Sequence, residues 1–579
     1  MLKTFSKTVK TLPLLAVMGA LVACGARANV VESGTWFETA YAVWIAPNNT
    51  EQFRVETRLN NGDWLAVDTE LVRQINTATH TWRVDVPGLR NTAGSSYSLR
   101  ILNAANNNVL ATVNNLVATP FDRQGYAFSP NSVNGLTTTT GGYNEDGTVR
   151  ADAEIIYVTH QNMNQVLNST RFPNAADANP TPNGRPLILR FIGQVGTTGA
   201  RVGDYSDIPQ GATVATANIN TPQGQIQGRV MHMLVIRNGQ NITIEGIGTD
   251  ARIEGWGIRL HDTSNVVVRN MHFDKWFDDG IHLQGNNNHT SSHTWIHHNW
   301  FGYGQDRYNA GLGEPDHIKG DGATDITSGA THFTVAFNRY DDSGKSMLTG
   351  GGNTQLMGHG TIHHNWFFST DERTPRLRNG WVHVFNNIYE EVGGEPGGGS
   401  GYGIGAGHRS NIVAEGNTFI HTFRPFIISG ERSSWAAGPN PDGNPNTLSN
   451  DAPGIIVTTL MPNSAQLAGR TLEANVFDAW SMNPDWWFLS ELESPTITND
   501  GRGNGLTLSH TFIPFDSPYG FPLNTASGAE PLPAFNPPAR WTPRAAISAT
   551  VGSAVGSTVG VEPAAAGANR VRANAGPMR

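Results

Sequence analysis

The sequence predicts an all-β protein: a parallel β-helix preceded by a small β-sandwich domain. Three observations carry this. First, a short β-like run, an Asn, any residue and an aromatic recur at Asn299/Phe301, Asn338/Tyr340, Asn365/Phe367, Asn387/Tyr389 and Asn417/Phe419. The intervals of 39, 27, 22 and 30 residues scatter about one coil length, as in a solenoid whose loops differ in size. Second, residues 29–118 read as short alternating runs between turn clusters. Third, 65 glycines and only 15% charged residues in 579 depart from the Ala/Glu/Lys/Leu bias of helical proteins.

Residues 1–28 read as a targeting segment. Lys3, Lys7 and Lys10 precede the apolar stretch Leu12–Ala23, which is too short to span a bilayer. Leu21-Val22-Ala23-Cys24 resembles a bacterial lipobox, which would place an outer-membrane lipid anchor on Cys24. Ala26-Arg27-Ala28 offers an ordinary cleavage site instead. The expectation is an exported protein, secreted or held at the cell surface as a lipoprotein. Cys24 is the one cysteine in the sequence, so the mature fold is expected to rest on a packed core without a disulfide.

Residues 29–118 form the expected sandwich. Phe53, Val55, Thr57 and Leu59 alternate, Asn60-Asn61-Gly62-Asp63 makes a turn, and another run begins at Trp64. Trp82, Val84 and Val86 alternate before Pro87-Gly88, and Tyr97, Leu99 and Ile101 give a further strand. The pattern resembles a fibronectin type III or related immunoglobulin-like domain, serving as a spacer or binding carbohydrate. The β-helix is expected over 119–543. The runs before the repeated Asn, such as Thr361-Ile362-His363-His364 and Val382-His383-Val384-Phe385, are β-rich with no helical period. Asn suits the tight corner because it tolerates the left-handed region, and stacked amides can bond along the stack. The aromatic after it should stack inside. Residues 544–579, an Ala/Gly-rich tail, are expected to lie extended on the surface or without order.

A net charge of −9 argues against nucleic acid as the partner. A polyanion remains open if a basic groove or a bound cation meets it locally. Asp278 and Asp279 are adjacent, and Asp321-Gly322-Ala323-Thr324-Asp325 follows. Neighbouring coils lie about 4.8 Å apart, so Asp279, Asp321 and Asp325 could converge on a hard, oxygen-loving cation such as Ca²⁺. Turn-forming Asp is the plainer reading of the same residues. Lys345 lies 20 residues after Asp325, and Arg373, Arg376 and Arg378 fall within the next coil. Together these bases could clamp carboxylates beside the cation, which suits a substrate with a carboxylate on every sugar.

At this point the chain, from about Gly125 to the early 420s, resembles the pectate lyases of polysaccharide lyase family 1. Thr137–Tyr143 and Asn241–Gly248 resemble its N-terminal Thr-Gly-Gly stretch and core strand. Asp321-Gly-Ala-Thr-Asp325, Lys345-Ser-Met-Leu, Arg373-Thr-Pro-Arg-Leu-Arg378 and Val382-His383-Val384-Phe385-Asn386-Asn387 resemble its catalytic motifs. The resemblance implies a right-handed β-helix and calcium-dependent β-elimination of polygalacturonate. Asp279, Asp321 and Asp325 would ligate calcium, Lys345 would contact the substrate carboxylate, and Arg373 would take the C5 proton. Arg378 and Arg376 would help bind substrate, and the protein would act as a monomer. Where the family commonly has Trp-Ile-Asp-His this chain has Trp295-Ile296-His297-His298, which implies altered local packing. Asp278 stays unassigned, because on a strand it would face away from Asp279. A pectin lyase, a polygalacturonase-type hydrolase and a non-catalytic surface β-helix are the alternatives.

Overall fold

A computed structural model describes most of residues 28–196, 233–304 and 319–428, short strands within 217–229, 307–317 and 454–478, and residues 561–578. Cys24 and residues 544–560 lie outside the described residues. By packing, the described chain forms two units.

The first unit is residues 28–33, 42–84 and 97–115. Its strand Phe53–Leu59 lies between Leu65–Ala66 and Tyr97–Asn103, with Val55 opposite Ile101 and Thr57 opposite Leu99, all antiparallel. The predicted alternation has its cause here: Phe53 and Val55 are buried with Trp44 and Trp82. The Phe53 ring stands 5.4 Å from that of Trp44 and 5.0 Å from that of Trp82, both edge-on.

The second unit, residues 34–41, 85–96 and 116 onward, is a parallel β-helix. Its coils repeat three parallel sheets. One contains the strands before the ladder Asn, from Leu187–Gly196 through Ser292–His297 and Thr331–Ala336 to Asn411–Glu415. Leu189, Ile244, Val268, Ile296, Val335, Ile362, Val384 and Ala414 stack in register along it. All eight are buried, each larger side chain contributing about 2 kcal/mol by removal from water.

The next sheet follows the Asn. Its inward rings Phe273, Phe301, Tyr340, Phe367, Tyr389 and Phe419 stack at centroid spacings of 5.1, 4.8, 4.8, 5.2 and 4.6 Å. Between the two sheets, each amide of Asn299, Asn338, Asn365, Asn387 and Asn417 donates to the next, ending on Asn475, at 2.9–3.0 Å. The left-handed corner, however, belongs to the residue before each of these Asn: His298, Phe337, His364, Asn386 and Gly416 have φ of 52°, 55°, 54°, 53° and 63°. The Asn is needed for its amide, which satisfies the backbone and its neighbour at once, and not for its tolerance of positive φ.

The C-terminal expectation fails for the described part. Ala564–Asn574 is an α-helix. Ala is the best helix former, and Gly567, Ala568 and Val571 are small enough to bury one face against Ile388 and Trp366.

Candidate active site

The third sheet carries the acids and bases that the sequence singles out. Its strands, in spatial and chain order, are Met233–Arg237, Gly257–His261, Ile281–Gln284, Thr324–Thr327, Leu348–Thr349, Arg376–Leu377, Ile404–Ala406 and Phe426–Ile428. Leu260, Leu283, Ile326, Thr349, Leu377 and Ala406 are register partners on the buried face. Alternation therefore turns Arg259, His282 and Asp325, also register partners, to the other face.

The acids lie on two neighbouring coils. Asp279 precedes the strand Ile281–Gln284, and Asp321 and Asp325 flank the start of Thr324–Thr327. Gly322 permits the tight turn between them, since any side chain there would run into the Asp325 carboxylate. Asp279 and Asp325 are buried and Asp321 is half-buried. Asp325 Oδ1 accepts from the Leu348 amide at 3.1 Å. Burial, then the neighbouring Asp279 and Asp321, pushes the Asp325 carboxyl well above the usual range.

The bases come from the following coils. Lys345 bridges Gly322 on one side and Glu372 on the other, and its Nζ lies 3.4 Å from Asp321 Oδ1. Arg373, at φ 63°, is buried, with Nε 3.1 Å from Glu372 Oε1. Burial pulls its guanidinium down, but Glu372, Tyr402, Asp325 and Asp321 outweigh it and hold the group above its ordinary value. Arg378 donates through Nη1 to the Gly350 carbonyl at 3.2 Å. Arg376 is 2% exposed and donates to the Tyr402 hydroxyl at 3.4 Å. Register pairs Arg376 with Leu348, on the face opposite the core residue Leu377 and in the same column as Asp325.

Sequence reasoning missed His282. Its Nδ1 lies 2.9 Å from Asp279 Oδ2 and its Nε2 2.8 Å from Thr327 Oγ1. Burial, then Arg259, pushes its pKa down to about 4, so the ring is neutral at pH 7 and the Asp279 contact is a hydrogen bond from Nδ1–H. The only signal available was a His three residues after an Asp at a strand entrance.

The donor set fits a hard divalent cation. Three oxygen acids repel one another on adjacent coils, and a dication would relieve that repulsion. As placed, the acids do not converge: among the described residues no three His, Cys, Asp or Glu side chains gather in metal-binding geometry. Asp279 turns to His282, Asp321 to Lys345 and Asp325 to the Leu348 amide.

The Trp295-Ile296-His297-His298 departure is absorbed by packing. The His297 ring stacks on Trp295 at 3.5 Å, and its Nδ1 is 2.8 Å from that of His298. Burial holds both rings neutral.

Residues 199–427 match the family model described as pectate lyase. A pectate lyase of Bacillus subtilis is 31% identical over 197 residues, which span 31% of this chain and 47% of that protein. A pectate trisaccharide-lyase of Bacillus licheniformis is 26% identical over 247 residues, spanning 40% of this chain and 67% of that one. The chain thus covers about half to two-thirds of the length of these curated relatives. A solved pectate lyase of Bacillus sp. N165, in complex with trigalacturonate, is 19% identical with a TM-score of 0.39, over 78% of this chain and 98% of that one. Over residues 199–427 the chain is similar to the pectate lyase family.

Proposed function

We propose that this protein cleaves polygalacturonate by calcium-dependent β-elimination. The observation that carries the reading is the order of charges along one sheet: acids on two coils, Lys345 on the next, then Arg373 and Arg378 on the next. Asp279, Asp321 and Asp325 would hold the calcium. Bound there, it would supply positive charge that acidifies the C5 proton of a neighbouring uronate and cancels the acids' hold on the Arg373 proton.

Lys345, turned toward Asp321, is positioned to take the substrate carboxylate and stabilise charge that develops on it. Arg373 takes the proton from C5. The C4–O bond breaks as the C4=C5 double bond forms, and the departing oxygen is protonated from solvent. Arg378, with Arg376 beside it, holds a neighbouring carboxylate. Burial lowers the Arg373 guanidinium's affinity for a proton, and a cation on Asp321 and Asp325 would remove part of the opposing pull, leaving that of Glu372 and Tyr402.

The same reading takes the protein to be exported, as a secreted enzyme or a surface lipoprotein anchored through Cys24, and monomeric, with residues 29–118 as a fibronectin type III-like spacer. The test is incubation with polygalacturonate, with and without a calcium chelator, following the ultraviolet absorbance of unsaturated ends. Chelator-sensitive absorbance is expected. Reducing ends without it would mean hydrolysis, and chelator-resistant cleavage favouring methylated pectin would mean a pectin lyase.

A further inference from the structure

The coils on the N-terminal side of the acids carry a second cationic row. Arg237 and Arg259 stand on the strands Met233–Arg237 and Gly257–His261, immediately before Ile281–Gln284 in the same sheet. Arg259 is the register partner of His282, and Arg237 that of His261. Both face away from the buried Leu234, Ile236, Ile258 and Leu260, and both are half-buried.

Neither guanidinium makes a direct ion pair among the described residues, though Asp279 and Asp278 favour the charge on Arg259 from beyond contact. Arg259 donates to the neutral Gln284 Oε1, through Nε at 2.7 Å. Arg237 Nη1 lies 2.6 Å from His261 Nδ1, and Arg237 Nε is buried without a hydrogen-bond partner. Among the described residues no carboxylate lies within ion-pair distance of either, in a protein of net charge −9 whose other arginines in this unit commonly pair with acids, as Arg190, Arg269 and Arg339 do. Asp262, the acid beside the row, approaches His261 at 3.5 Å and neither arginine. Two guanidiniums held at fixed spacing by neutral acceptors are prepared for anions that arrive from solution.

We propose that Arg237 and Arg259 form a carboxylate-binding subsite that engages uronate units of the polymer on the opposite side of the acids from Lys345 and Arg378. This rests on the polygalacturonate reading above and extends it to chain length. From Arg237 to Arg378 the sheet steps across five strand intervals of about 4.8 Å, or roughly 24 Å. A long polyuronate can reach both cationic flanks at once, whereas a trimer cannot occupy both and the acid centre between them.

The test compares polygalacturonate with trigalacturonate, by KM and by calorimetric binding. In R237Q/R259Q, the ratio of polymer KM to trimer KM should rise about ten-fold or more, the worth of one charge-assisted contact. R237K/R259K, which keeps the charges, should recover most of that loss. An unchanged ratio in an active enzyme would overturn the subsite alone, as would a lysine pair that behaves like the glutamine pair, since that would mark a purely structural role. A wild-type protein that neither cleaves nor binds any uronate would overturn the functional reading and the subsite with it.

Discussion

Two sides of the same coils contrast sharply. At the ladder corner every coil repeats its neighbour: Asn on Asn, aromatic ring on aromatic ring. On the third sheet successive coils differ at each step, from Arg259 to His282 to Asp325 in one register column. Identical residues stack because each satisfies its neighbour's hydrogen bonds and packing, so repetition marks the part that holds the fold. The face where charges change from coil to coil is held by that repetition and is free to concentrate acids and bases that no stability argument would place together.

The contrast can be broken from either side. The largest expected effect is at Arg373. R373K should lower turnover on polygalacturonate at least 100-fold, as loss of a positioned base does, while the thermal midpoint stays within a few degrees. Near-normal turnover would remove Arg373 as the base. Next is calcium itself: stripping the protein with chelator should abolish turnover, and D325N should require much higher calcium to recover it, read from activity against free calcium. On the scaffold side, N365A cuts the ladder in its middle, taking from the Asn338 backbone N–H its acceptor and from the Val335 carbonyl a donor. It should cost about 2–4 kcal/mol in denaturant unfolding, with KM unchanged below the transition.

A smaller effect is expected from acid. His293 and His272 are pushed down to about 3 and about 4, chiefly by burial, and His363 and His364 well below their ordinary value. Their folded pKa values lie below the unfolded value of about 6.5, so the unfolded chain binds more protons in acid. Stability is full above pH 6.5 and falls as pH drops toward 4. Calorimetric midpoints at pH 7 and pH 5 should differ by several degrees, with the acid sample lower.

The sequence made the scaffold legible because Asn and aromatic recur at fixed offset, and it made the acids and bases legible as motifs. It did not reveal which corner residue takes positive φ, because His298, Phe337 and Asn386 share no side-chain chemistry. Nor did it reveal that Arg376 is buried, or that His282 sits between Asp279 and Thr327. Those depend on register across coils, which loops of unequal length conceal.

The C-terminal segment has one more consequence. Glu562 N bonds Asn386 Oδ1 at 2.6 Å, Gly576 N bonds the Phe337 carbonyl at 2.9 Å, and Met578 N bonds Asn270 Oδ1 at 2.6 Å. In between, Arg570 pairs with Asp122 at 2.8 Å. A solenoid whose coils touch only their neighbours can fray from an end, one coil at a time. Here a single strap is buttoned to coils more than 100 residues apart in sequence, so opening any one of them tugs on the others, and the array should melt as a unit.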